Sequence, residues 1–83
     1  DDVESRGLGD VYKRQVENSI IGRGCIIKKG AVVKNSVILA DAVIGENVHV
    51  ENQVVDKHSR LIHVKEVVSD PGHPGYIKRG DVL

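Results

Sequence analysis

A five-residue pattern recurs three times at a spacing of 17: Val16-Glu17-Asn18-Ser19-Ile20, Val33-Lys34-Asn35-Ser36-Val37 and Val50-Glu51-Asn52-Gln53-Val54. Val and Asn keep their places in every copy. Self-similarity at a fixed period marks a chain built from equivalent units, each burying its apolar side against its neighbours. A finer rule runs inside the period. Aliphatic residues step by 5, 6 and 6 through Val16, Ile21, Ile27, Val33, Ile38, Ile44, Val50, Val55 and Leu61. Four residues after most of them stands a second, generally small or β-branched residue: Ile20, Cys25, Ala31, Val37, Ala42, Val48, Val54 and Ser59.

A helix would need apolar residues at i, i+3, i+4 and i+7 over a dozen residues, and a half-buried strand would need strict alternation. Neither template fits a period near six. β-Branched residues dominate, and Gly or Asn recurs about every sixth residue, which describes very short strands bent at corners. The fold class expected is all-β: a single-stranded parallel β-helix, or hexapeptide-repeat solenoid, of about three coils. Three hexads make one triangular coil, with the residues at i and i+4 both facing the interior. The five-residue step shortens one side. Stacking then places Val16, Val33 and Val50 in one column at the strand spacing of about 4.8 Å, with Asn18, Asn35 and Asn52 in another. Gly22, Gly24, Gly30 and Gly45, with Asn47, are expected at the corners, where positive φ is cheap. A narrow prism has little room for rings. This accounts for a composition that is 40% hydrophobic yet 2% aromatic, with no Phe, Trp or Met.

The rule decays after Leu61, and Ser69-Asp70-Pro71-Gly72-His73-Pro74-Gly75 is a run of turn formers that cannot hold a central ladder. The coils are therefore expected over 16–66, with 67–83 as a turn and a C-terminal cap in which Tyr76-Ile77 is a short capping strand. Residues 1–15 share none of the patterning. The stretch Ser5-Arg6-Gly7-Leu8-Gly9-Asp10-Val11-Tyr12-Lys13-Arg14-Gln15 resembles the in-frame translation of a sequencing adapter, so 1–15 is expected to be a non-native, disordered segment.

Twelve basic and twelve acidic side chains cancel, and the aromatic residues are two Tyr. Such a chain offers no electrostatic footprint for nucleic acid and no platform for stacking bases. No apolar run approaches the roughly 20 residues of a membrane-spanning helix, and no segment has the pattern of a signal peptide. A single cysteine excludes an internal disulfide and a multi-cysteine metal site, and it fits a reducing cytosol. His58 and His63 stand five apart, a spacing that resembles the one found in hexapeptide-repeat carbonic anhydrases, but a third ligand is needed from a neighbouring coil or subunit and the corresponding earlier coil offers Gly, Arg and Lys, so surface histidines are the expectation. His49 as an acyl-transfer base is weighed in the same way. Cys25 falls on an interior slot equivalent to Ala31 and Ala42 and is expected to be a small buried hydrophobe. Arg23, Lys28, Lys29 and Lys34 could gather an anion, as could Lys78 and Arg79, yet Glu17, Glu46 and Glu51 interleave with the first set. Gly22-Arg23-Gly24 and Gly45-Glu46-Asn47 lack the Lys-Ser/Thr and following helix of a phosphate loop. No catalytic, cofactor-binding or metal-binding residue is expected.

Val16-Glu17-Asn18-Ser19-Ile20-Ile21, the segments 30–38 and 43–48, and the closing Tyr76-Ile77-Lys78-Arg79-Gly80-Asp81-Val82-Leu83 resemble the C-terminal left-handed β-helix of bacterial glucose-1-phosphate adenylyltransferases (ADP-glucose pyrophosphorylases). Within that family the resemblance is to the regulatory subunit of glycogen biosynthesis found in Firmicutes. It implies a left-handed coil and a cytoplasmic protein. It implies that the whole protein makes ADP-glucose and pyrophosphate from ATP and glucose 1-phosphate with Mg, or assists a catalytic partner. The nucleotide loop, sugar-phosphate lysine and metal-binding aspartates of that family belong to an N-terminal nucleotidyltransferase domain. What it implies for 16–83 is an inactive C-terminal fragment that mediates subunit contacts in a homo- or hetero-tetramer with a catalytic subunit. The alternative is a fragment of a hexapeptide-repeat acyltransferase or of another sugar nucleotidyltransferase. Long genomic reads across the locus are expected to show that codons 1–15 are not continuous with codons 16–83; one uninterrupted gene would refute the adapter reading.

Overall fold

The computed structural model describes residues 15–83. Eleven strands of two or three residues follow one another: β1 (Gln15–Glu17), β2 (Ile20–Ile21), β3 (Ile26–Ile27), β4 (Val32–Lys34), β5 (Val37–Ile38), β6 (Val43–Ile44), β7 (His49–Glu51), β8 (Gln53–Val55), β9 (Arg60–Leu61), β10 (Glu66–Val68) and β11 (Gly75–Ile77). They stack as three parallel sheets, β1-β4-β7-β10, β2-β5-β8-β11 and β3-β6-β9. The register through β9 is the repeat itself, with Val16 opposite Val33, Val33 opposite Val50, Ile38 opposite Val55 and Ile44 opposite Leu61. The chain is thus a left-handed β-helix of hexapeptide repeats, as the spacing and the resemblance led us to expect.

Corners are set by residues with positive φ, which costs a non-glycine residue about 1–2 kcal/mol unless it is Asn or Asp. They form columns: Asn18, Asn35 and Asn52; Gly24, Asp41, His58 and Gly80; Gly30 and Asn47. Two of the expected corner glycines, Gly22 and Gly45, do not have positive φ. They are needed for close approach instead: a Cβ on Gly45 would lie 2.8 Å from Leu61 O, and one on Gly22 would lie 3.0 Å from Ala40 N.

After each corner the chain points in, out and in again, as alternation along a strand dictates. The interior therefore pairs a smaller residue with a larger one, as in Ala31 with Val33, Ala42 with Ile44 and Ser59 with Leu61, all fully buried. On the short side the expected i+4 assignment is corrected. Ile20 is 66% exposed, and Val37 and Val54 are only half-buried, because each precedes an inward residue in its strand. The inward slot belongs to Ser36 and Gln53, both buried, and to Ser19 in the first coil.

The coils number about three, as expected, and the C-terminal segment stacks on them: β10 pairs with β7, β11 pairs with β8, and Val82 bridges to Arg60. The turn formers at 69–74 leave the prism at one corner only. Ile77 returns to the core, and Val64, Val67 and Leu83 pack against it. At the other end β1 starts at Gln15, one residue earlier than expected, with Gln15 N donating to Ala31 O. The rest of the proposed adapter segment lies outside the described residues.

Ile38 sits mid-stack at zero exposure. Ile38→Ala is expected to lower the unfolding free energy by about 2–5 kcal/mol, read from urea denaturation, whereas Ile20→Ala should cost under about 1 kcal/mol.

Candidate functional site

Each outer feature can be built from the corner and strand that present it. His58 occupies a corner with φ 62 and is exposed. His63 is also exposed, and its backbone N–H donates to Leu83 O at 2.6 Å. Among the described residues no group of three or more His, Cys, Asp or Glu side chains is placed to hold a metal ion. His49 lies on the outer face of β7, two residues from Glu51, so both point the same way. Its Nε2 is 2.9 Å from Glu51 Oε1, with Glu66 beside it in the next coil.

Cys25 is half-buried in the first coil. Its thiol donates to Leu39 O at 3.0 Å. Burial raises its pKa, outweighing the backbone hydrogen bonds that favour the thiolate. A raised pKa leaves little thiolate, the reverse of what a nucleophile needs. The basic residues are dispersed by the coil. Lys34 stands in register between Glu17 and Glu51, which makes an alternating column of charge. Arg23 and Lys29 lie at different corners, where their carbonyls accept from Asp41 N and Asn47 N.

The polar residues of the repeat are engaged in holding coils together. Asn18 Nδ2 donates to Asn35 Oδ1 at 2.6 Å. The Ser36 hydroxyl donates to Lys34 O at 2.8 Å and accepts from Gln53 N at 3.1 Å; Ser19 does the same one coil earlier, to Glu17 O and from Ser36 N. Gln53 ends the series, its side-chain amide donating to Ser69 Oγ and Glu51 O. A groove of about 440 Å³ runs along this corner, lined by Asn18, Ser19, Ile20, Asn35, Ser36 and Val37.

One pair escaped sequence reasoning. The Tyr76 hydroxyl donates to Asp56 Oδ2. The excursion at 69–74 lengthens the register, so that Tyr76 faces Val54 rather than the residue 17 before it. A reader of the 17-residue spacing therefore has no signal for this pair.

A family model described as GlmU-like, C-terminal hexapeptide, matches residues 8–74. The chain belongs to this family. No curated protein and no solved structure matches it. Among its described residues the GlmU-like hexapeptide chain presents outward a corner ladder, a shallow groove and side chains paired along the coils. Among the described residues no helix is long and apolar enough to cross a membrane.

The Tyr76 hydroxyl, then the Lys57 backbone N–H, hold the Asp56 carboxyl below its usual range, and the same bond raises the Tyr76 phenol. A lowered carboxylate stabilises the fold above its unfolded pKa of about 3.9, and that contribution is lost as pH falls through the folded value. A raised phenol stabilises below its unfolded pKa of about 10, and that contribution is lost as pH rises past the folded value. In a Tyr12→Phe background, Asp56→Asn is expected to lower the Tyr76 absorbance midpoint toward about 10; an unchanged midpoint would break the assignment.

Proposed function

We propose that this chain is the C-terminal assembly and regulatory module of a sugar nucleotidyltransferase subunit, of the glucose-1-phosphate adenylyltransferase kind that serves glycogen biosynthesis in the cytoplasm. The observation that carries this reading is the match to the GlmU-like hexapeptide family over 8–74, taken with the Asn-Ser triplets and the tail that resemble the adenylyltransferase β-helix. The recurrent polar residues support a scaffolding role, since Asn18, Ser19, Ser36, Asn52 and Gln53 all bond to neighbouring coils.

On this reading the chemistry, ATP and glucose 1-phosphate to ADP-glucose and pyrophosphate with Mg, belongs to an N-terminal nucleotidyltransferase domain. The β-helix contributes subunit contacts in a homo- or hetero-tetramer with a catalytic subunit. A stacked solenoid suits this, because its outer faces are long, rigid and variable while its interior repeats.

Expression of the complete gene together with the genome's catalytic nucleotidyltransferase subunit is the test. The expected result is co-purification and ADP-glucose synthesis from ATP and glucose 1-phosphate. Neither association nor nucleotidyl transfer, with acyl transfer to a sugar amine instead, would overturn the reading in favour of a hexapeptide acyltransferase.

A further inference from the structure

We propose that the groove along the short corner of the first two coils is a binding site for a neutral sugar, whichever reaction the whole protein serves. The groove has a volume of about 440 Å³ and is lined by Asn18, Ser19, Ile20, Asn35, Ser36 and Val37. That volume lies inside the range of small-molecule sites. None of the six residues is charged. Glu17 and Lys34 border the groove, in register and opposite in sign, so charge selects neither an anion nor a cation.

The hydrogen-bonding capacity left over in the groove selects the ligand. Both serines are engaged between coils: Ser19 Oγ donates to Glu17 O and accepts from Ser36 N, and Ser36 Oγ donates to Lys34 O and accepts from Gln53 N. The asparagines keep capacity to spare. Asn18 Nδ2 donates to Asn35 Oδ1 at 2.6 Å, and the ladder stops there, since Asn52 Nδ2 donates to Ser69 O instead. Among the described residues nothing donates to Asn18 Oδ1 and nothing accepts from Asn35 Nδ2. With both amides turned over, the free groups are Asn18 Nδ2 and Asn35 Oδ1, so either orientation leaves one donor and one acceptor on adjacent coils. An anion satisfies only the donor and an ammonium only the acceptor, whereas a hydroxyl serves both. Two neighbouring hydroxyls of a pyranose ring donate to one asparagine and accept from the other. The C–H face of the ring then lies on Ile20, 66% exposed, and on the half-buried Val37. A peptide would pair through an open strand edge, but here the backbone is already used between coils, with Ile20 N donating to Ser36 O and Ser36 N to Ser19 Oγ. Asn18 and Asn35 are exposed while Asn52 is buried, which confines the site to the first two coils. A shallow groove leaves one face of the ring in water, so the expected dissociation constant is about 1 mM or above.

The test is a titration of the isotope-labelled full chain, followed by amide NMR, with methyl α-glucopyranoside, methyl α-galactopyranoside and the uncharged amide N-acetylglycine N-methylamide. At millimolar sugar the side-chain amide signals of Asn18 and Asn35 and the backbone signals of Ile20 and Val37 are expected to shift saturably, with the side-chain amide of Asn47, on another corner, unmoved. No saturable shift with either sugar, or an equal response to the amide, would overturn the proposal. Maltotriose separates two sources of the same chemistry, binding several-fold tighter than the methyl glucoside where the site reads a chain and equally where it reads a single sugar. Asn35→Gly keeps the positive φ of the corner and removes the side-chain amide. It is expected to weaken sugar binding by about fivefold, the worth of one neutral hydrogen bond, while Asn47→Gly leaves binding unchanged. Equal affinity of Asn35→Gly and the parent chain would count against the site. If Asn35→Gly loses its β-sheet circular dichroism, Ile20→Ser, at an exposed position, replaces it and is held to the same outcome.

Discussion

The short corner of each coil is the constraint on which the rest of the structure depends. Two residues, Lys34 and Asn35, link the inward Val33 to the inward Ser36, where the other corners use three, such as Leu39, Ala40 and Asp41 between Ile38 and Ala42. So tight a turn needs a residue that tolerates positive φ, and Asn supplies it at 18, 35 and 52. The carbonyl two residues before the serine accepts the Asn amide of the next coil and, from inside the turn, the serine hydroxyl as well. The hydroxyl oxygen in turn accepts an amide of the next coil. A polar atom thus becomes affordable in an apolar prism because its donor and its acceptor capacity are both met, which removes the cost of burying it. Since the rung repeats only where Asn and Ser or Gln fall together, it also pins the register that the aliphatic columns alone would leave to their similar shapes.

The large interior residues were legible because Val, Ile and Leu at steps of 5, 6 and 6 have one geometric explanation. The smaller residues were legible on the two long sides for the same reason. Ile20, Val37 and Val54 were misplaced because a rule of four residues assumes a three-residue corner, and on the short side the inward slot comes one position earlier. Asp41 and His58 as corner residues could have been found from Gly24, since the three stand 17 apart and Asp and His are, with Asn, the non-glycine residues enriched at positive φ. The pairing of β11 with β8 was hidden by the excursion at 69–74, which shifts Gly75 to a register opposite Gln53 and breaks the spacing on which recognition depended. The Asp56 and Tyr76 pair was lost with it.

This architecture separates two kinds of information. The interior repeats from coil to coil and so cannot distinguish one part of the molecule from another: Val33, Ile38 and Ile44 meet the next coil as Val50, Val55 and Leu61 do the previous one. Whatever is specific must therefore be written on the outer positions of the strands and on the ends of the stack. The outer positions do differ by side. Charge alternates along Glu17, Lys34 and Glu51 on one sheet, is mixed with valine and isoleucine on another, and is absent from three coils of the third. Uniform hydration would have no reason to sort charge by face, because a solvated strand position accepts Lys or Glu equally well on all three sides. The surface chemistry of the three sides is therefore set independently of the repeating packing inside the coil.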